Sequence, residues 1–202
     1  MSTAVEDGAT TASTPPQFTV VSRILHWLTA ILVFSALFIG FVMVNSVGDY
    51  DTLLMIHKSI GAIVLVVMVI RVINRIRHHP PALPSTVGRV ERLMVFGSEM
   101  AMYGLLLAQP LVGWAMISAA GRPVIVFGSV HLPGIAPVNL AVFSALRETH
   151  SVLAYLLVAV IAAHVSAVLL HTITLRDGML RRMTFRLRSS NEQSRISGGT
   201  RG

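Results

Sequence analysis

Four long apolar stretches, at about 24–44, 53–73, 93–118 and 151–175, are set apart by polar or proline-containing segments. Each is long enough to cross the roughly 30 Å hydrocarbon core of a bilayer as a helix. The fourth is the most uniform, its 25 residues holding no Asp, Glu, Lys or Arg. The third is the least uniform, with Glu99, Gln109, Pro110 and Gly113, and its proline is expected to kink it. The pattern predicts an all-α integral membrane protein, a four-helix bundle within a single membrane domain at 18–183.

The segments between the runs carry the charge. Residues 1–17 are rich in Ser, Thr, Ala and Pro and read as a disordered tail, without the basic start and cleavage site of a signal peptide. A short link at 45–52 has no positive charge. Five arginines, Arg71, Arg75, Arg77, Arg89 and Arg92, surround His78, His79 and the HHPPALP segment, whose prolines prevent helix continuation. The region 119–149 reads as the longest loop, with Arg122 and Arg147 as its positive charges. The tail beyond the fourth run carries seven arginines, and its 184–202 part is expected to be a disordered basic extension. Counting Lys and Arg by the positive-inside rule puts both termini and the proline-rich connection in the cytoplasm.

Composition agrees with a membrane protein: 53% of residues are hydrophobic, 12% are charged and the mean hydropathy is +0.71. A soluble domain carries about twice that share of charge. The net charge of +7 does not point to nucleic acid, because the arginines flank apolar runs and form no patch on a polar domain. The absence of cysteine excludes disulfides, thiolate metal sites and covalent attachment of haem through a Cys pair.

Histidine inside a membrane span is costly and marks a functional site by default. His150, His164 and His171 are separated by fourteen and seven residues, which brings all three within about 60° on one helix face. Chain direction places His57 and His150 at one level near the outer side, and His26 and His164 at a second level near the inner side. Paired histidines on facing helices are the axial ligand set of a low-spin haem in a four-helix bundle. His150 and His164 on one helix would set two irons about 20 Å apart along the axis, against about 31 Å for His150 and His171, so His164 is preferred as the inner ligand. A proton relay or transporter built on the same column is the competing reading, but Glu99 is the exception in spans otherwise almost free of carboxylates. His78, His79 and His131 fall in connections and read as surface residues.

RILHWLTA around His26, MIHKSIG around His57, RHHPPALP, PLVGWAMISAAGRPV, the spacing of His150, His164 and His171, and the closing RDGMLRRM together resemble the prokaryotic cytochrome b561 family. The similarity runs from about residue 17 to 183. It implies a four-helix membrane cytochrome of the bacterial inner membrane with two non-covalent b-type haems, exchanging electrons with the quinone pool, ubiquinone in particular. By position the axial ligands carry over onto His26, His57, His150 and His164. For some relatives it implies superoxide oxidation at the outer face coupled to ubiquinone reduction. A periplasmic protein as donor or acceptor, and a haem-bearing anchor for a soluble oxidoreductase, are the other roles compatible with such a cytochrome.

Further residues gain readings from this frame. Lys58, Arg122 and Arg147 are the positive charges on the outer side and could bind an anion or haem propionates. Arg71 reads first as an inner-side anchor, with a propionate or quinone headgroup as its other partner. His171 is either a quinone-side hydrogen-bond donor or an interface histidine. Gly40, Gly61 and Gly113 either admit a macrocycle close to backbone or serve helix packing.

Overall fold

The computed structural model describes residues 19–45, 48–77 and 88–173. It consists of α1 (Val20–Asn45), α2 (Tyr50–Arg77), α3 (Arg89–Ala119), a two-stranded hairpin of β1 (Val124–Val126) and β2 (Val130–Leu132), and α4 (Leu140–Ile173). All four helices are long and apolar enough to span a bilayer. Hydrocarbon offers no partner to a free N–H or C=O, so these apolar runs close their hydrogen bonds within each helix. The expected tails at 1–17 and 184–202, the HHPPALP segment, and residues 174 and 175 of the fourth expected span lie outside the described residues.

The helices run up and down, with α3 leading into the hairpin and α4 leaving it. α1 packs along α2, α2 along α3, and α3 along α4. The backbone of α4 stands off from α1 and α2, and side chains bridge the interval. In its middle, Val33 of α1, Val64 and Met68 of α2, Leu106 of α3 and Leu157 of α4 form the central apolar cluster, with Met68 fully buried. Much of the rest faces outward, including Phe38 and Phe41 on α1 and Tyr155 on α4, as lipid-facing surfaces do.

Two features correct the expected loop at 119–149. First, α4 begins at Leu140, so Arg147 and Glu148 are helical residues at its exposed start. Asn139 caps it, its Oδ1 accepting from the Val142 N–H at 3.1 Å. Charge-free length measures the part of a helix that lies in lipid, and this helix continues past it. Second, the loop contains the hairpin, with Val124 opposite Leu132 and Val126 opposite Val130. The hairpin starts where Gly121, at φ +69°, closes the C-terminus of α3; a Cβ there would also meet Val138 at 3.1 Å. Its turn is fixed to α2: the Phe127 N–H donates to Ser59 Oγ at 2.8 Å, and Phe127 adopts φ +53°. Val124 then packs with Leu54 and Ile117, and the Trp114 indole N–H donates to the Pro133 carbonyl at 2.9 Å. The strand pair thereby covers one end of the bundle, called here the hairpin end. The far end, where α1 begins and α4 ends, is joined by polar contacts. Arg75 of α2 makes a bidentate pair with Glu99 of α3 at 2.7 and 2.9 Å, and the Asn74 amide of α2 donates to Ser22 Oγ of α1 at 2.9 Å.

α3 remains one helix through Pro110.

Candidate functional site

The interval between α4 and the α1–α2 layer is bridged at two levels by histidines. Near the hairpin end, His57 of α2 faces His150 of α4 with ring centres 6.3 Å apart and planes at 78°. Near the far end, His26 of α1 faces His164 of α4 at 6.5 Å and 57°. The pairings expected from the matched depths are therefore the pairs that approach. Leu157, midway between His150 and His164 along α4, lies in the central apolar cluster that separates the two levels.

Each level has its own surroundings. At the hairpin end, both rings lie against glycine backbone. A Cβ added to Gly40 would sit 3.3 Å from His57 Cε1, and one added to Gly113 would sit 3.0 Å from His150 Cε1. Either would be tighter than ordinary van der Waals contact, so these glycines make room for the imidazoles. Gly61 has no atom within 4 Å of such a Cβ. The Nδ1 atoms of His57 and His150 are buried without a hydrogen-bond partner. Gln109 of α3 places its side-chain Nε2 3.3 Å from His150 Nε2 and 3.1 Å from the His150 carbonyl oxygen. The sequence reading gave Gln109 no role. The signal it offered was a carboxamide in the middle of an apolar run, which is costly unless it is bonded.

At the far end, Arg71 of α2 approaches His26, its Nη2 donating to Nδ1 at 3.1 Å, while the guanidinium carbon lies 5.4 Å from the Tyr103 ring centre. Arg71 thus turns toward the bundle interior, where a positive-inside anchor would turn to the headgroups. Trp27 meets the edge of the His26 ring, with centres 5.7 Å apart. His171 is on α4, but its side chain lies outside the described residues.

The remaining expected residues gather less closely. Arg122 is exposed and pairs with Asp51 at 3.4 Å, and Arg147 is exposed on α4. Lys58 follows His57 on α2, partly buried, at the hairpin end. His131 is an exposed residue of β2, as a surface reading requires.

The four spanning helices and the two cross-helix imidazole pairs define the architecture of a membrane cytochrome of the b type. The prokaryotic cytochrome b561 family model matches residues 17–186, and the chain belongs to that family. It is similar to cytochrome b561 homolog 2 of Escherichia coli K12, 31% identical over 174 residues that cover 85% of this chain and 93% of that relative. It is also similar to the probable superoxide oxidase CybB of Yersinia pestis, 31% identical over 161 residues covering 79% of this chain and 90% of that protein. Cytochrome b561 homolog 1 of Escherichia coli K12 is 26% identical over 174 residues. The chain is accordingly a multi-pass bacterial membrane cytochrome whose family implies b-type haem.

The residues present fit that group. Two imidazoles bound on opposite sides of one metal, at about 2 Å per metal–nitrogen bond, have ring centres about 6 Å apart, the separation found at both levels. Among the described residues no third His, Cys, Asp or Glu joins either pair. Two imidazoles alone suit an iron whose other positions are filled by a macrocycle.

Proposed function

We propose that the chain is a di-haem electron carrier in which His57 with His150, and His26 with His164, are the axial ligands of two b-type haems. The observation that carries this reading is the pair of imidazole approaches at 6.3 and 6.5 Å, on helices whose backbones otherwise stand apart. When bound, the haem irons supply the one-electron chemistry that no side chain here offers. The polypeptide supplies the ligands, the glycine surfaces that admit them, and the apolar cluster around Met68 and Leu157 that keeps water from the interval between the two levels.

With both termini assigned to the cytoplasm of the inner membrane by the distribution of arginine, the hairpin end is periplasmic. Lys58, Arg122 and Arg147 lie at that end and attract an anionic reactant or propionates. Arg71 and His171 lie at the far end, the side assigned to ubiquinone. The name of the Yersinia pestis relative favours superoxide as the outer donor. The balance is then two superoxide anions, each losing one electron to become dioxygen, and one quinone gaining two electrons and two protons from the aqueous side.

Purified protein tests the cytochrome reading directly. A red preparation is expected, with b-type reduced-minus-oxidised bands and about two haems per chain. His57→Ala and His150→Ala should each remove one haem, His26→Ala and His164→Ala the other, and His171→Ala neither. A colourless, folded preparation would end the reading. Stopped-flow reduction by superoxide compared with reduction by quinol then decides the direction and the outer reactant.

A further inference from the structure

Two of the described glycines are approached by a histidine ring of a neighbouring helix, Gly40 by His57 and Gly113 by His150. In both cases the ring presents Nδ1 as well as Cε1 to the place of the missing Cβ, with Nδ1 3.6 Å from it at Gly40 and 3.4 Å at Gly113. Within reach of that place on a helix is the carbonyl of the residue four before. Thr29 and Ser59 show this on α1 and α2, their hydroxyls donating to the Leu25 and Met55 carbonyls at 2.6 and 2.9 Å. At Gly40 and Gly113 no side chain fills the seat, and the carbonyls four residues earlier are those of Ala36 and Gln109. These same carbonyls act on the rings, Ala36 on His57 and Gln109 on His150, in each case short of a full hydrogen bond.

A histidine that ligates iron through Nε2 keeps its proton on Nδ1. Buried within an apolar span, that N–H requires an acceptor. A helix carbonyl has two lone pairs; one takes the N–H four residues on, here the glycine's own, and the oxygen carries a second. An alanine would cover that oxygen, because its Cβ would stand 3.3 Å from His57 Cε1 or 3.0 Å from His150 Cε1 and push the ring away. Donation from Nδ1 leaves the Nε2 lone pair to the metal, so this contact and ligation act together on one ring.

We infer that the main-chain carbonyls of Ala36 and Gln109 accept the Nδ1 protons of His57 and His150 in the haem-loaded protein, with Gly40 and Gly113 as the positioning residues that open those carbonyls to the rings. The inference rests on the reading of both histidines as axial ligands. It gives the two glycines a role distinct from making room for a macrocycle. An imidazole whose Nδ1–H donates to a carbonyl is the more basic ligand and favours ferric iron, so the midpoint of the hairpin-end haem is held down. None of the described glycines lies against His26 or His164, and the far-end pair lacks this device.

The experiment uses the full-length, haem-loaded protein. Gly40→Ala and Gly113→Ala each displace one ring from its carbonyl. Both are expected to raise the midpoint of the same haem in potentiometric titration and to shift its low-spin electron paramagnetic resonance signal, with the other haem unmoved. Loosened packing alone acts in the opposite direction, since water admitted near the iron stabilises the more highly charged ferric state and lowers the midpoint. A midpoint that falls or stays in place in both variants would therefore overturn the inference. Where an alanine variant holds no hairpin-end haem, the oxidised wild-type protein decides. Two hyperfine-shifted imidazole N–H resonances belonging to one haem should persist after transfer to deuterium oxide, and their rapid loss would show Nδ1–H groups open to solvent and end the inference. Haem content unaffected by His57→Ala and His150→Ala would overturn the ligand reading itself; haem lost in those variants, with the midpoint not raised in either glycine variant, would overturn this inference alone.

Discussion

At the hairpin end, His57 and His150 rest on glycine backbone beneath a strand pair, with an uncharged amide as the polar neighbour of one ring. At the far end, His26 and His164 have a guanidinium beside them, and among the described glycines none lies against either ring. Ring separations differ by little, 6.3 against 6.5 Å, so the spacing of the pairs sets what they can bind and does not distinguish them. Their surroundings do. Gln109 donates to Nε2 of His150, whereas Arg71 donates to Nδ1 of His26. In the neutral rings the first contact leaves the proton on Nδ1 and the second leaves it on Nε2. If the rings ligate through Nε2 as proposed, His150 must release that lone pair from Gln109, and His26 must carry its proton on Nδ1 and part from Arg71. If both pairs hold haem as proposed, the fixed positive charge of Arg71 beside His26 would favour reduced iron at the far end.

The strongest test of this contrast is steric. Gly113→Val adds a branched side chain where a Cβ alone would stand 3.0 Å from His150 Cε1. Forcing such a group into a packed site costs about 1–3 kcal/mol or displaces the ring. The expected result is loss of the hairpin-end haem with the far-end haem retained, read as half the wild-type haem per chain by pyridine haemochrome. Gly97→Val, at an exposed helical position open to 4 Å, is the control that should keep both. Equal losses from the two variants would mean that the glycines serve helix packing in general and not the histidines.

The electrostatic half of the contrast predicts a smaller effect. Arg71→Met removes the charge next to His26 and should lower the midpoint of one haem by on the order of 1 kcal/mol, roughly 40 mV for one electron. The other midpoint should stay in place. Two unmoved midpoints in a potentiometric titration would show that the Arg71 charge is neutralised within the site and does not order the potentials.

How far this contrast could be read from the sequence depends on where each partner lies. The helices and the histidine pairs were legible because both follow from local regularities, apolar length and the 3.6-residue turn, together with up-and-down chain direction. The hairpin was not, since three-residue strands such as Val124–Val126 are too short to show alternation and sit among glycines and prolines. The first turns of α4 were hidden by using absence of charge as the criterion, although Asn139 ahead of a helix-forming run was a start signal. Gln109 and Arg71 show a different limit. Their histidine partners are 41 and 45 residues away in sequence, so only the packing of α3 on α4 and of α2 on α1 reveals which ring nitrogen each one meets.

The smallest expected effect concerns the approach to the hairpin end. Arg122 and Asp51 form a single 3.4 Å contact, with side chains 55% and 85% exposed. Exposed pairs of this kind contribute little to stability, so Asp51→Asn should leave the thermal midpoint and both haem signals unchanged. It does remove a negative charge and its hold on Arg122 at the end where Lys58 and Arg147 also lie. If that end receives an anion, as proposed, the second-order rate with superoxide should rise by about twofold or less at low ionic strength. At 0.15 M salt the Debye length is about 8 Å, and the gain should largely disappear. A rise that persists at high salt would assign Asp51 to contact with the reactant, and no rise at low salt would remove Arg122 from its approach.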